Sequence, residues 1–422
     1  MDSGALTKAV ALRCPKCGTQ SANKTQFSCA NCAAVLEVQV DVGHLTREDF
    51  QRMRQRRERS IWRWFEFFPV SHRSSIVSLG EGGTPLIHAK RLGERLSIAN
   101  LYLKNDTVLP TGSLKDRSNS VGISVATELG YTTAAVMSTG NAAASVAAYA
   151  AAAGMRSVVL VPKGTAMSKI LQARAYGASV IVVNGNFDHE VAALYKAAVQ
   201  EFGWYDCLST NPYRVGKKSY AYELVDELEG RVVDWAIHPT AGGTGIYCMW
   251  KGFQEFIALG WIDRAPKLVA AQSSAAAPFV AALEKGFARV EPVIAEKTVA
   301  ESIQVGNPAA LGARALAALR ASNGMAVASS DAEILEAQFL TASLAGIFAE
   351  PAAAISVAAA RKLRESGAIK ADDLVVCNLT GHGLKQPEAI QVAETEFAPI
   401  PPTLEALREC IHRTEGKSPV TL

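Results

Sequence analysis

Short runs of apolar residues recur along this chain, and most are followed by a longer stretch of good helix formers. SVVLV (157–161) is closed by Pro162, SVIVV (179–183) follows Gly177, and LVVCNL (374–379) comes late. AAVM (134–137), VDWAI (233–237) and KLVAA (267–271) carry the same signal, and a short strand is expected near Tyr205. Strands apolar on both faces must be covered on both, as parallel strands linked by crossover helices are. The segments 141–154, up to Tyr176, 187–201, 216–229, up to Ile257, 331–345 and 351–365 read as those helices, with Gly154 and Gly177 as stops. The alternation therefore predicts an α/β body of parallel-type sheets, with SVVLV and SVIVV as buried strands. Its Ala and Gly abundance reads as close packing of helices on sheets.

The 422 residues allow two to three domains at about 150 residues each. Lys and Arg total 43 against 40 Asp and Glu, a net charge of +3. So small a bias does not mark a dedicated polyanion or membrane-surface binder, and no nucleic-acid partner is expected. The apolar runs are interrupted well short of the roughly 20 residues a spanning helix needs. The opening MDSGALTKAVALRCPKC has no signal-peptide pattern. A cytoplasmic enzyme without membrane contact is the expectation.

Four of the eight cysteines fall in one stretch, Cys14 and Cys17 in CPKC and Cys29 and Cys32 in CANC. Two CxxC pairs around a short loop suit tetrahedral zinc, because each pair aims two thiolates at one point. Gly18 and Asn31 fit the tight turns this needs. A zinc-ribbon-like module over 1–45 follows, with a first strand near 25–30 and a second over 35–40. Beyond it, Thr46 with Glu48 and Asp49 reads as a helix start. Arg52, Arg54, Arg56, Arg57 and Arg59 then form a basic face ahead of Trp62, Trp64, Phe65, Phe67 and Phe68, and Pro69 ends the segment. This connector, 46–75, reads as a solvated helix leading to an aromatic patch that docks on the body; contact with nucleic acid is the competing reading. The body is expected over 76–400, with a smaller lobe at about 118–215, and a C-terminal extension over 401–422.

In open α/β sheets, ligands bind beyond the carboxyl ends of the strands. Four strand-to-helix turns carry chemistry. In LPTGSLKDRSNSVG (109–122), Gly112 and Ser113 precede Lys115 at a helix entry, flanked by Asp116 and Arg117. A Lys beside a helix N-terminus and other cations has a depressed pKa, which a Schiff base requires. STGNAAAS (138–145) sets Ser138, Thr139, Gly140 and Asn141 where free amides can meet a carboxylate, or simply cap a helix. PTAGGTG (239–245) lets the backbone of Gly242, Gly243 and Gly245 close round a phosphate, with the Thr244 hydroxyl added. NLTGHG (378–383) puts Thr380 at a strand end with His382 nearby, a base or a structural residue.

Taken in order, SLGEGGTPL (78–86), TGSLKDR, STGNAAASVAAYAA, NPYRVGKKS, VGNPAA (305–310), EPAAA (350–354) and LTGHGLK (379–385) resemble the threonine synthase family of pyridoxal-phosphate enzymes. That group shares the tryptophan-synthase β-subunit fold, a two-lobed fold type II body, and some members carry a Cys-pair module in front. The resemblance spans roughly 78–390. It implies that Lys115 is the Schiff-base lysine, that Asn141 meets the cofactor's phenolic oxygen, and that Gly242, Gly243, Thr244 and Gly245 hold its phosphate. It implies that Thr380 faces the pyridine nitrogen, where a hydroxyl keeps the ring a mild electron sink suited to elimination and replacement. Ser138, Thr139 and the amides that follow would hold the substrate carboxylate, and Ser113 would also contact the substrate. Arg214 with Lys217 or Lys218 would bind a distal phosphate, as paired cationic donors do. The implied reaction is a carbon–oxygen lyase step, O-phosphohomoserine and water giving threonine and phosphate. Relatives are commonly dimers, so a homodimer is implied.

The sequence departs from that family at two places. The phosphate loop Ala241-Gly242-Gly243-Thr244-Gly245 lacks the usual Asn, and Leu114 stands where Phe is common. The loop looks like those of β-replacement and dehydratase relatives. A cysteate synthase-like or threonine/serine dehydratase-like activity is therefore the alternative.

Overall fold

The computed structural model describes residues 10–165, 167–208, 210–389 and 399–414. The first nine residues of the expected N-terminal module and the last eight of the expected C-terminal extension lie outside them. The larger sheet has six strands in the order Met325–Ser329, Lys267–Ser273, Trp235–Pro239, Leu374–Leu379, Asn100–Asn105 and Leu86–His88. The first five run parallel; Leu86–His88 is an antiparallel edge strand, so this sheet is mixed. The second sheet orders Ser179–Val183, Arg156–Pro162, Thr133–Met137 and Tyr205–Asp206, all parallel. Helices cover the larger sheet on both faces. Thr244–Ala258 and Ala309–Ala321 lie on one side, and Pro351–Glu365, buried along nearly its whole Ala-rich length, lies on the other.

SVIVV corrects the reading of a fully buried strand. Ser179–Val183 is the outer strand of its sheet, and Ile181 and Val182 are exposed. A β-branched run shows extended backbone but does not say how many of its faces are covered.

The cysteine module is a three-stranded antiparallel sheet of Val10–Arg13, Gln20–Ser21 and Glu37–Val40. Its first strand precedes the cysteines, which corrects the placement near 25–30; there only an isolated Ser28–Val35 bridge forms. Two matching turns follow. Gly18 N–H donates to the Cys14 carbonyl and Ala33 N–H to the Cys29 carbonyl, both at 2.9 Å. The left-handed position of the second turn is Ala33 (φ 55), not Asn31, whose side chain donates to Thr19 instead.

The connector helix Arg47–Arg54 opens with a Thr46–Asp49 capping box. The aromatic run after it is interior: Trp62, Trp64, Phe65, Phe67 and Phe68 are each at most 2% exposed. Phe67 stacks near Tyr222 and Phe256 of the body, and Trp62 donates to Ser120. Of the basic face, Arg54 pairs with Asp226 and Arg56 with Glu66, each at 2.6 Å. Arg54 thus ties the connector to the body and Arg56 pairs within the connector, while Arg52, Arg57 and Arg59 stay exposed. Among the described residues, no helix is long and apolar enough to cross a membrane.

Candidate active site

The site lies beyond the carboxyl ends of the central strands and is lined by turns that follow strands of both sheets. Two contiguous cavities, about 430 and 860 Å³, share Lys115, Ser138, Asn141, Ser302 and Glu350 in their walls. Lys115 opens the helix Lys115–Glu128. Its ammonium is pushed down to about 8, by burial first and then by the Arg214 charge, with Glu350 opposing. Burial, rather than the helix terminus, is therefore the main cause of the depression that the sequence suggests.

The neighbours of Lys115 are fixed on both sides. Asp116 is fully buried and accepts from Thr111 N–H (2.8 Å), the Thr111 hydroxyl and the Ser145 hydroxyl (2.6 Å each). Because Ser145 lies on the helix Asn141–Ala152, this ties the Lys115 turn to the Asn141 turn. Arg117 is equally buried and bridges Asp106 (2.8 Å) and Glu223 (2.5 Å). Gly216 lets the NPYRVGKKS loop pass against this helix: a Cβ there would sit 1.7 Å from the Arg117 carbonyl.

Ser138, Thr139 and Gly140 precede the helix Asn141–Ala152 and line the larger cavity. Gly242 to Gly245 line the smaller one, at the start of Thr244–Ala258. Gly243 takes φ +89, which only Gly adopts without strain. The loop backs onto His238, which is buried, bonded to Asn378 at 3.0 Å, and held neutral by burial and by the Lys217 and Lys115 charges. Thr380, 2% exposed, closes the strand Leu374–Leu379 and lines the same cavity. His382 is a turn residue, its Nδ1 accepting Leu384 N–H.

Arg214 and Lys217 line the smaller cavity with Lys115, and Arg214 Nε is buried without a hydrogen-bond partner. Lys217 is pushed well below its ordinary pKa, by burial and then by Lys115. Two of the expected substrate residues are used elsewhere. Lys218 donates to the Phe67 carbonyl and to Glu255, both at 2.7 Å, so it belongs to the connector interface. Ser113 is fully buried and accepts the Lys115 N–H at 3.2 Å, supporting the turn from below.

Glu350, which opens the EPAAA motif but receives no role from the sequence, is also a site residue. It is 1% exposed, lines both cavities, and both its oxygens accept from Asn141 Nδ2 at 3.1 Å. Burial raises its pKa against the pull of Asn141 and Lys115. The available signal was an acid just before Pro351, the first residue of an Ala-rich helix.

The residues suit pyridoxal phosphate: a buried amine of lowered pKa, a Gly-lined loop at a helix N-terminus, and a strand-end hydroxyl in one cavity. Residues 77–381 match the family of pyridoxal-phosphate dependent enzymes. The threonine synthase of Methanocaldococcus jannaschii is 42% identical over 91% of this chain and 95% of its own length. That of Methanosarcina acetivorans is 38% identical over 95% and 98%. Among solved structures, maize serine racemase has a TM-score of 0.62 at 19% identity, covering 79% of this chain and 92% of its own. Processed threonine deaminase isoform 2 from Solanum lycopersicum has 0.61 at 20%, covering 72% and 86%; both show the shared fold. The chain belongs to the threonine synthase family of pyridoxal-phosphate-dependent enzymes.

Proposed function

We propose that the enzyme converts O-phosphohomoserine and water to threonine and phosphate. The observation that carries this is the cationic end of the Lys115 cavity, where Arg214 and Lys217 line the wall with Lys115 and Arg214 Nε is buried without a hydrogen-bond partner. Clustered buried cations are costly, and a doubly charged phosphate on the substrate lowers that cost by pairing with them directly. Ser138, Thr139 and the amides opening Asn141–Ala152 take the α-carboxylate at the other end. Bound pyridoxal phosphate supplies the electron sink; Gly242 to Gly245 would hold its phosphate, Asn141 its phenolic oxygen and Thr380 its ring nitrogen. With a pKa of about 8, part of the Lys115 population is neutral near pH 7 and can accept the substrate's Cα proton. Arg214 and Lys217 hold the phosphate in the bound substrate and keep the same hold on it as it leaves Cγ.

The loop departure does not move this reading, because the family likeness runs across nearly the whole chain and the anion site is built from other elements. Incubation with O-phosphohomoserine should release threonine and phosphate together. Turnover of O-phosphoserine plus sulfite, or of threonine, in place of phosphohomoserine would sink the assignment.

We further infer that Cys14, Cys17, Cys29 and Cys32 hold zinc. Their four sulfurs lie within 4.8 Å of one another, with pairs at 3.4, 3.6 and 3.7 Å. A tetrahedron with Zn–S of about 2.3 Å has edges of about 3.8 Å. Elemental analysis of the purified protein should find one zinc per chain, and Cys17→Ser should lower both the zinc content and the melting temperature. A metal-free protein of unchanged stability would remove the ion from the picture. The thiols are free, in keeping with a reducing cytoplasm. We also propose a homodimer, and the exposed outer strand Ser179–Val183 is the edge on which it would pair.

A further inference from the structure

The cysteine module stands directly against the two loops that make the anionic subsites. Residues 18–28 run between the two Cys pairs, so both ends of that loop are fixed by the cysteines. From it, the Lys24 carbonyl accepts the Tyr213 hydroxyl at 2.9 Å. Phe27 enters between Tyr205 and Tyr213, edge-on to both, at 5.9 and 6.1 Å. Tyr213 is 1% exposed and immediately precedes Arg214. Its own N–H is held by Asn211 Oδ1 at 2.9 Å. Phe27 and Lys24 thus brace the backbone that carries the Arg214 guanidinium.

A second set of contacts reaches the phosphate loop. Lys251, on the helix Thr244–Ala258, donates to Glu37 and to the Val38 carbonyl, both at 2.6 Å. Arg314 donates to the Val35 carbonyl and stacks over Tyr247 of that helix at 5.4 Å. Val35 and Glu37 of the module, Asn211 and Arg214 of the loop, and Thr244 of the helix border one small void. One rigid body therefore touches both supports of the anion site.

We infer that Phe27 and Tyr213 are positioning residues for substrate phosphate, through which the cysteine module sets the orientation of Arg214. The inference rests on the reading that Arg214 binds the substrate's phosphate. The Arg214 Nε is buried without a hydrogen-bond partner, so the backbone braced behind Tyr213 is a main determinant of where its donors point. The module is then part of the enzyme's substrate affinity rather than only of its stability. The contacts that fix the Lys115 turn, through Asp116 to Thr111 and Ser145, are not made by the module, so kcat should change much less than KM.

Steady-state kinetics with O-phosphohomoserine and calorimetric titration of the holoenzyme with inorganic phosphate test this. Phe27→Ala should raise KM roughly 10-fold, with kcat within about twofold, as loss of uniform binding does. Phosphate affinity should fall by a similar factor, and the absorption of the bound cofactor should stay unchanged. Phe27→Leu, which restores most of the wedge, should recover KM. Tyr213→Phe removes only the bond to Lys24 and should raise KM about threefold, the scale of one neutral hydrogen bond. If Phe27→Ala does not fold, Tyr213→Phe decides. Arg214→Gln is the control: it should raise KM and weaken phosphate binding at least as much. If Arg214→Gln has that effect and the folded Phe27 and Tyr213 variants do not, the inference is overturned and the phosphate reading stands. A fall in kcat at constant KM in those variants also overturns it. If Arg214→Gln changes neither quantity, the phosphate reading fails and the inference with it.

Discussion

Lys115→Ala should abolish turnover and remove the visible absorption of the lysine-bound cofactor. Loss of its proton-transfer role alone costs roughly 10²–10⁴-fold in rate, and loss of covalent attachment adds to that. The same substitution should stabilise the protein stripped of cofactor. The folded-state pKa is about 8, below the roughly 10.4 of a free lysine, a gap of roughly 3 kcal/mol. Between those values the unfolded chain binds more protons, so stability rises with pH across that window. Below pH 8 the full cost of a buried ammonium is present. Lys115→Ala should therefore gain up to roughly 3 kcal/mol at pH 7 and little at pH 10.5. Denaturant titrations of both apoproteins at the two pH values read this directly. Equal stabilities at pH 7, or an intact lysine-bound spectrum in the variant, would contradict the role given to Lys115.

Local pattern carried much of this fold. The runs 179–183 and 374–379 are the strands Ser179–Val183 and Leu374–Leu379, and 331–345 and 351–365 are the helices Asp331–Ala345 and Pro351–Glu365. Apolar runs between helix formers and Gly stops are local signals, so their bounds survive folding. Leu86–His88 and Met325–Ser329 left too faint a pattern, being short and made partly of Ala, Ser or His. Burial was less legible than extension. Ile181 and Val182 look like core but form an edge, because strand order is a long-range outcome. Lys217 and Lys218 show the same limit inside the site. They are adjacent in sequence, yet one lines the cavity and the other bonds Phe67 and Glu255. Glu350 arrives at Asn141 from 209 positions away, a meeting that no local spacing announces.

Arg117→Met should be among the most destabilising single changes in the chain. The guanidinium is wholly buried and makes bidentate-type contact with Asp106, through Nε and Nη2 at 2.8 Å each. It also reaches both Glu223 oxygens, at 2.5 and 2.9 Å. Lys104 adds a second cation to Glu223 at 2.8 Å, and Tyr220 donates to Asp106 at 2.5 Å beneath the Arg117 face. Removing one partner of such a network strands the others in a low-dielectric interior, at a cost of roughly 3–5 kcal/mol. The pH dependence identifies the mechanism. Burial alone would raise the Glu223 pKa, but Arg117 and Lys104 hold it at about 2. That depressed carboxyl contributes stability that is full above its unfolded pKa, about 4.3, and is lost as pH falls toward 2. In Arg117→Met the stranded Glu223 carboxyl takes up its proton at higher pH. The deficit against the parent protein should then be full at pH 7.5 and shrink as pH falls toward 4. Adding Glu223→Gln should recover part of the loss at pH 7.5, because one buried charge is removed with its partner, a coupling that a double-mutant cycle measures. A deficit independent of pH, with no coupling to Glu223, would mean that Arg117 acts through packing alone. Because Arg117 lies two residues from Lys115 on one helix, kcat should fall in the same variant even at temperatures where it remains folded.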